Sequence, residues 1–296
     1  MIGGTAAPAG RAAAAPVRKP PVDGSDNRAG GVHPTASAIP TGSDANYPGT
    51  QGWNYQMPVR GVLFDVDDTL FDYSASEKFG LLAHLTAQGL LDRFPTPEEA
   101  LALWRRIMEE EYNRFTAGEL TFADQQRART RRFLSHLGHL PAGGMSDLEA
   151  SSWFAGYGEH QNTRWSAFPD AAPLLETLAP AYRLGVVSNS SLEHQRRKLK
   201  MIGLLEYFGD VIVCSDAHQA AKPTPSIFHA GCTLLSLAPH EVAYVGDRYT
   251  IDAVGARDAG LHSYWLDRTG ASEGVAIGHG IHVIRSLDEL PAALAH

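Results

Sequence analysis

Val59-Arg60-Gly61-Val62-Leu63-Phe64 runs straight into Asp65-Val66-Asp67-Asp68-Thr69-Leu70-Phe71-Asp72, and this stretch decides the fold. An apolar run that ends abruptly in polar chemistry reads as a central strand of a parallel sheet, buried on both faces. Asp65, Asp67 and Asp68 crowd three carboxylates into four residues. Their repulsion disfavours ionisation unless something neutralises it. A divalent cation does so, and all-oxygen donors favour Mg2+ over a transition metal. Taken alone, the stretch fits an ordinary strand-to-loop turn with solvated acids as well.

Similar apolar runs recur at Leu184–Val187, Val211–Cys214, Val242–Val245, Ser263–Leu266 and His282–Ile284. Helical patterns lie between them. Pro173–Leu178 follows the Pro169-Asp170 turn, and Ser190-Ser191-Leu192-Glu193 reads as a capping box opening a helix through Ile202. Thr224-Pro225 offers an N-cap and a first-turn proline for a helix through Leu235. Ile251–Ala259 is stopped by Gly260. Strands alternating with helices predict an α/β fold, a Rossmann-like parallel sheet core with helices on both faces.

Residues 74–164 break this rhythm. Ser76–Leu91, Pro97–Phe115, Phe122–Leu137 and Leu148–His160 carry apolar residues at helical spacing, with no strand signal between them. They predict an inserted α-helical cap domain, leaving 58–73 and 165–296 as the core. An insertion after the first strand lies over the strand ends, where open α/β sheets bind ligands. It is therefore a candidate lid, or else a bundle that only adds stability.

Three more strand ends carry polar chemistry. Val187 is followed by Ser188-Asn189-Ser190-Ser191 ahead of a helix, which fits either an anion site or plain N-capping. Ala221-Lys222-Pro223 precedes the next helix, and Val245 is followed by Gly246-Asp247-Arg248, with Asp252 five residues beyond Asp247. Each is weak by itself. In this order, each after a strand, the set resembles the four motifs of the haloacid dehalogenase superfamily of hydrolases, over residues 59 to about 290. The helical insertion is similar to that family's first cap type, and Phe71-Asp72 with the cap length resembles its small-metabolite phosphatases.

The resemblance implies roles. Asp65 is the nucleophile that forms an aspartyl-phosphate. Asp67 protonates the leaving alcohol and then activates water. Ser188 and Lys222 hold the phosphoryl oxygens, with Thr69 and Asn189 as substrate-binding candidates. Mg2+ is bound by Asp65, Asp247, the backbone carbonyl of Asp67 and, directly or through water, Asp252. The implied activity is Mg2+-dependent hydrolysis of a small phosphorylated metabolite, a sugar phosphate, nucleotide or similar compound. Phosphotransferase or phosphomutase chemistry, dehalogenase-type hydrolysis and a non-catalytic phosphate-binding module are the alternatives. The superfamily's true dehalogenases lack an acid at the position of Asp67, and its phosphonatases need a cap lysine, for which Lys78 is the sole candidate. Gln219 and Ala220 replace a frequent glycine, Thr224 a frequent aspartate, and Arg248 a small residue. These departures bear on loop shape and on substrate rather than on reaction class.

Substrate selection is expected from the cap. Gln125–Arg132 is the most basic stretch, and Arg127 and Arg131, four apart, share a helix face. They are candidates to grip a second anionic group, or else a solvated face.

The first 58 residues hold 11 Ala, 9 Gly and 8 Pro, with no hydrophobic period. Residues 1–57 therefore read as a disordered tail that cannot offset its ordering entropy. No apolar h-region marks it as a secretory signal. The chain's net charge of −8 argues against a nucleic-acid partner. No apolar run reaches the ~20 residues of a membrane span. Cys214 and Cys232 make no disulfide framework. A cytoplasmic monomer or homodimer acting on a small phosphorylated substrate is the expectation.

Overall fold

In the computed structural model of the protein, residues 58–141 and 143–295 are described; the expected disorder of residues 1–57 lies outside them. Six short strands pair in one parallel sheet: β1 (Gly61–Phe64), β2 (Arg183–Ser188), β3 (Ile212–Cys214), β4 (Val242–Gly246), β5 (His262–Leu266) and β6 (Ile281–Ile284). Their order is β3-β2-β1-β4-β5-β6. The stretch that opened the reading is thus central. Phe64 pairs in register with Val186 on one side and Val245 on the other.

Between β1 and β2 lie α1 (Tyr73–Ala87), α2 (Pro97–Thr116), α3 (Phe122–His136) and α4 (Asp147–Asn162). Each starts at a side-chain cap, because the first amides of a helix lack partners. Asp72 accepts from Ala75, Thr96 from Glu99 and Thr121 from Asp124. Ser146 and Glu149 form a reciprocal capping box. Leu81, Leu85, Trp104, Ile107, Phe133 and Tyr157 fill the core of this insertion. The Trp104 ring is fully buried, with the Phe133 ring edge-on at 5.1 Å.

The remaining helices cover the sheet: α5 (Ala171–Leu178), α6 (Leu192–Met201), α7 (Ser215–His218), α8 (Pro225–Leu235), α9 (Gly255–Asp258) and α10 (Leu290–Leu294). Alternation along β1 serves both faces. Val62 and Phe64 pack with Leu174, Leu175 and Leu199, while Leu63 packs with Ile227, Phe228 and Cys232. Helix α8 approaches closely because Gly231 faces β1; a Cβ there would sit 2.7 Å from Leu63 Cδ1. Among the described residues, no helix is long and apolar enough to cross a membrane.

Two local readings need correction. The helix expected over Ile251–Ala259 begins instead as a π-helical turn, Tyr249–Val254, that passes into α9. The Arg248 carbonyl accepts from the amides of both Asp252, at 2.8 Å, and Ala253, at 3.4 Å, while the Asp252 carboxylate accepts from the Arg248 amide at 3.0 Å and closes the turn. The Ser190–Glu193 capping box does not form. Ser191 is the N-cap and accepts from the His194 amide at 3.2 Å, so Glu193 sits one place too early to close the box.

Candidate active site

Three central strands deliver their carboxyl ends to one place. Asp65 follows β1, and its amide donates to the Val245 carbonyl of β4 at 2.9 Å. Lys222 Nζ reaches Asp65 Oδ1 at 2.6 Å, Asp252 Oδ1 at 2.7 Å and the Tyr244 hydroxyl at 2.8 Å. All four side chains are buried. Burial raises the Asp65 pKa to about 7, even though Lys222 pulls it down, and Asp252 and Asp67 add repulsion. Burial, then Asp252 and Asp65, push Asp247 well above the carboxylate range. Burial opposes charge on Lys222 too, but Asp252 and Asp65 outweigh it and raise its pKa.

Asn189 sets the height of that lysine. Its Oδ1 accepts from the Lys222 amide at 2.7 Å, and its Nδ2 donates to the Lys222 carbonyl at 2.9 Å. Its side-chain amide therefore holds a loop, while Asn189 itself still lines the cavity. Ser188 Oγ and Asp67 Oδ2 both accept from Gln195 Nε2, at 3.0 and 2.9 Å. Asp67 Oδ1 pairs with Lys198. Burial opposes ionisation of Asp67, but the Lys198 ammonium overrides it and holds the pKa low.

The donor set suits a hard cation. Asp65, Asp247 and Asp252 each offer a carboxylate oxygen within 4.8 Å of the others. With one lysine among three acids, two carboxyls lack a cation of their own, in keeping with the raised pKa of Asp65 and Asp247. Gly246 lets this happen, because a Cβ there would lie 2.4 Å from the Asp252 carboxyl carbon. The Asp67 side chain is not in this cluster, being taken by Lys198 and Gln195.

Above the acids lies a cavity of about 520 Å3, reached by Asp65, Asp67, Ser188 and Lys222 from the sheet and by Tyr112, Gln125 and Arg129 from the insertion. Two hydrogen bonds from α2 are among the contacts that join the layers. The Tyr112 hydroxyl donates to the Asn189 carbonyl and Arg248 Nη2 to Glu109 Oε1, both at 2.5 Å.

Three expected substrate contacts are not on this wall. Arg127 pairs with Asp124 and lies 3.8 Å from Asp147, while Arg131 pairs with Asp147 and donates to the Met145 carbonyl at 2.9 Å. They do share a face of α3, but Gln125 and Arg129, half a turn away, take the cavity side. Thr69 is fully buried and turned inward, its amide donating to Val66 and its carbonyl accepting from Arg268. Lys78 pairs with Glu98 at 3.8 Å. Lys198, Gln195, Tyr244 and Arg129 were not singled out from the sequence. Ser191, Gln195 and Lys198 recur at helical spacing after the β2 motif, a signal that aims one face of α6 at the same strand end.

Comparison with known proteins agrees with this geometry. The family model for haloacid dehalogenase-like hydrolases matches residues 59–260. The chain belongs to that family, in its phosphatase branch. It is 26% identical over 238 residues to N-acylneuraminate-9-phosphatase of Rattus norvegicus, covering 80% of this chain and 94% of the relative. It is 28% identical over 207 residues to glyceraldehyde 3-phosphate phosphatase of Methanothermobacter thermautotrophicus, covering 69% and 83%. The fold matches the HAD-hydrolase YfnB of Bacillus subtilis, solved bound to magnesium, with a TM-score of 0.67 at 23% identity over 81% of this chain and all of that one.

Proposed function

We propose that the protein is a Mg2+-dependent phosphatase of a small phosphorylated metabolite that works through an aspartyl-phosphate. The observation that carries this reading is the buried Asp65–Lys222–Asp252 cluster beneath a cavity, with Asp67 two residues from the nucleophile and held by its own lysine. The named phosphatases among the relatives support the same class.

In this reading the Asp65 carboxylate attacks phosphorus, and the ester P–O bond breaks as the new O–P bond forms. Ser188 Oγ already accepts from Gln195, so its own proton is free for a phosphoryl oxygen. Lys222 supplies positive charge at the same oxygens. Asp67 gives a proton to the departing alcohol. Water then attacks the aspartyl-phosphate, Asp67 takes its proton, and Asp65 is released with inorganic phosphate. Lys198 and Gln195 hold Asp67 ionised, the state its second role needs. The proton for its first role arrives with the substrate, since a phosphomonoester's second ionisation lies near pH ~6. Asp65, Asp247, Asp252 and the Asp67 carbonyl would hold Mg2+, which offsets charge between carboxylate and phosphate. The helical insertion, residues 74–164, serves as the cap that excludes water. Buried, unpaired Cys214 and Cys232 suit a reduced, cytoplasmic setting.

Turnover of p-nitrophenyl phosphate tests the class. It should need Mg2+ and vanish with chelator and in Asp65→Asn. Undiminished turnover in that variant would falsify the mechanism.

A further inference from the structure

The insertion brings a polar wall of its own to the cavity. The Arg129 guanidinium sits over the Trp104 ring, its Cζ 3.8 Å from the centroid. Its Nη2 donates to Glu77 Oε1 at 2.9 Å, and Glu77 Oε2 accepts from Arg105 Nε at 2.8 Å. One carboxylate therefore serves two guanidiniums, and since Glu109, the insertion's other acid on this cavity, is paired with Arg248 of the core, the wall keeps a positive surplus. Two donors on it have no partner among the described residues, Arg129 Nε and the Tyr157 hydroxyl. Both residues are buried, at 4% and 1% exposure, and both line the cavity. Gln125, 6% exposed, adds an amide to the same lining.

A buried donor without a partner is costly, because it has given up water and gained nothing in exchange. Two on one cavity wall mark a place where a ligand supplies the acceptors. The chemistry of the donors defines that ligand. A guanidinium seated over an indole, with a phenol and an amide nearby, matches a planar acceptor with two oxygens. The positive surplus calls for that acceptor to be charged. Resting on the phosphatase reading, we infer that this wall binds a carboxylate at the end of the substrate away from its phosphate. The substrate class is a small phosphorylated hydroxy acid or sugar acid, and Arg129 is the specificity-determining residue. The role expected of Arg127 and Arg131 falls to the arginine between them.

Matched pairs test this. 6-Phosphogluconate and glucitol 6-phosphate differ only at the far carbon, as do 3-phosphoglycerate and glycerol 3-phosphate. The enzyme should prefer the acid in at least one pair by about tenfold or more in kcat/KM. Arg129→Met, which keeps the stacking but loses the charge, should bring that ratio close to one, mainly through KM. Tyr157→Phe keeps the buried ring and removes only its hydroxyl, so it should fold normally and cut the ratio severalfold. It carries the test even if Arg129→Met does not fold. Equal kcat/KM for acid and alcohol in both pairs overturns the inference, as does a ratio that neither variant moves. Preference for fructose 1,6-bisphosphate over both acids also overturns it, making the second group a phosphate. Absence of turnover on every phosphomonoester, p-nitrophenyl phosphate included, overturns the phosphatase reading and this inference with it.

Discussion

The floor and the roof of the cavity are built by opposite means. The floor is a knot of charges, where Lys222 touches two buried acids within 2.7 Å and the paired strands β1, β2 and β4 fix the backbone that leads into Asp65, Ser188 and Asp247. The roof is a helical bundle whose aromatic core aims a few polar side chains downward. A strand end places its next residues at the site whatever they are, so floor chemistry follows from chain position. A helix offers several faces, so roof chemistry follows from register. The floor should accordingly fail through charge and the roof through packing.

The largest effect belongs to the floor. Asp65→Asn should lower turnover by at least ~10^4-fold, as loss of a nucleophile does, while the fold survives, since one buried like charge is gone. Circular dichroism melting beside kinetics checks both halves. A large fall in melting temperature would mean that Asp65 holds the fold as well as the chemistry. Lys222→Met comes next. It leaves Asp65 and Asp252 facing each other without their ammonium, a loss of roughly 3–5 kcal/mol. Urea unfolding with and without Mg2+ reads it, and the cation should recover part of the loss. Unchanged stability in the variant would break the account of a floor held by charge.

For the roof, Trp104→Ala should cost about 3 kcal/mol or more, because a fully buried indole leaves a cavity among Phe133, Tyr157 and Arg129. The damage should stay local. Hydrogen exchange should show α1–α4 losing protection while β1, β2 and β4 keep it. Equal loss in the sheet would show that floor and roof unfold as one unit, and the comparison would have to be redrawn.

The same contrast explains what could be read from the residues alone. The α/β alternation was legible because each strand ends in a recognisable polar group, and the family match over residues 59–260 agrees with it. Asp65, Ser188 and Asp247 come together because parallel strands put their ends on one edge, and Asn189, next to Ser188, holds the Lys222 loop against them. Lys198 stayed hidden because its partner, Asp67, is 131 residues away in sequence. Thr69 misled because Asp68 adopts a left-handed φ of 58°, and the turn that follows carries the hydroxyl into the interior. On α3, spacing alone showed that Arg127 and Arg131 share a face. Which face met the cavity depended on Trp104, a residue of the neighbouring helix.

The smallest effect sharpens the packing side of the contrast. His84 is buried on α1 with its ring 4.5 Å from that of Trp153, and its Nε2 has no partner. Burial, then repulsion from His160, lowers its pKa from 6.5 to about 4. Above pH 6.5 the imidazole is neutral in both folded and unfolded chains, and no proton opposes folding. Between 6.5 and 4 the unfolded chain binds a proton that the folded one refuses, so stability falls as pH falls through that window. His84→Leu keeps the volume and orphans no partner. The melting temperatures of parent and variant should therefore diverge, in favour of the variant, as pH goes from 7 to 5. Parallel curves would mean that the imidazole reaches solvent before the roof unfolds, and the helices above the site would then be looser than their packed core implies.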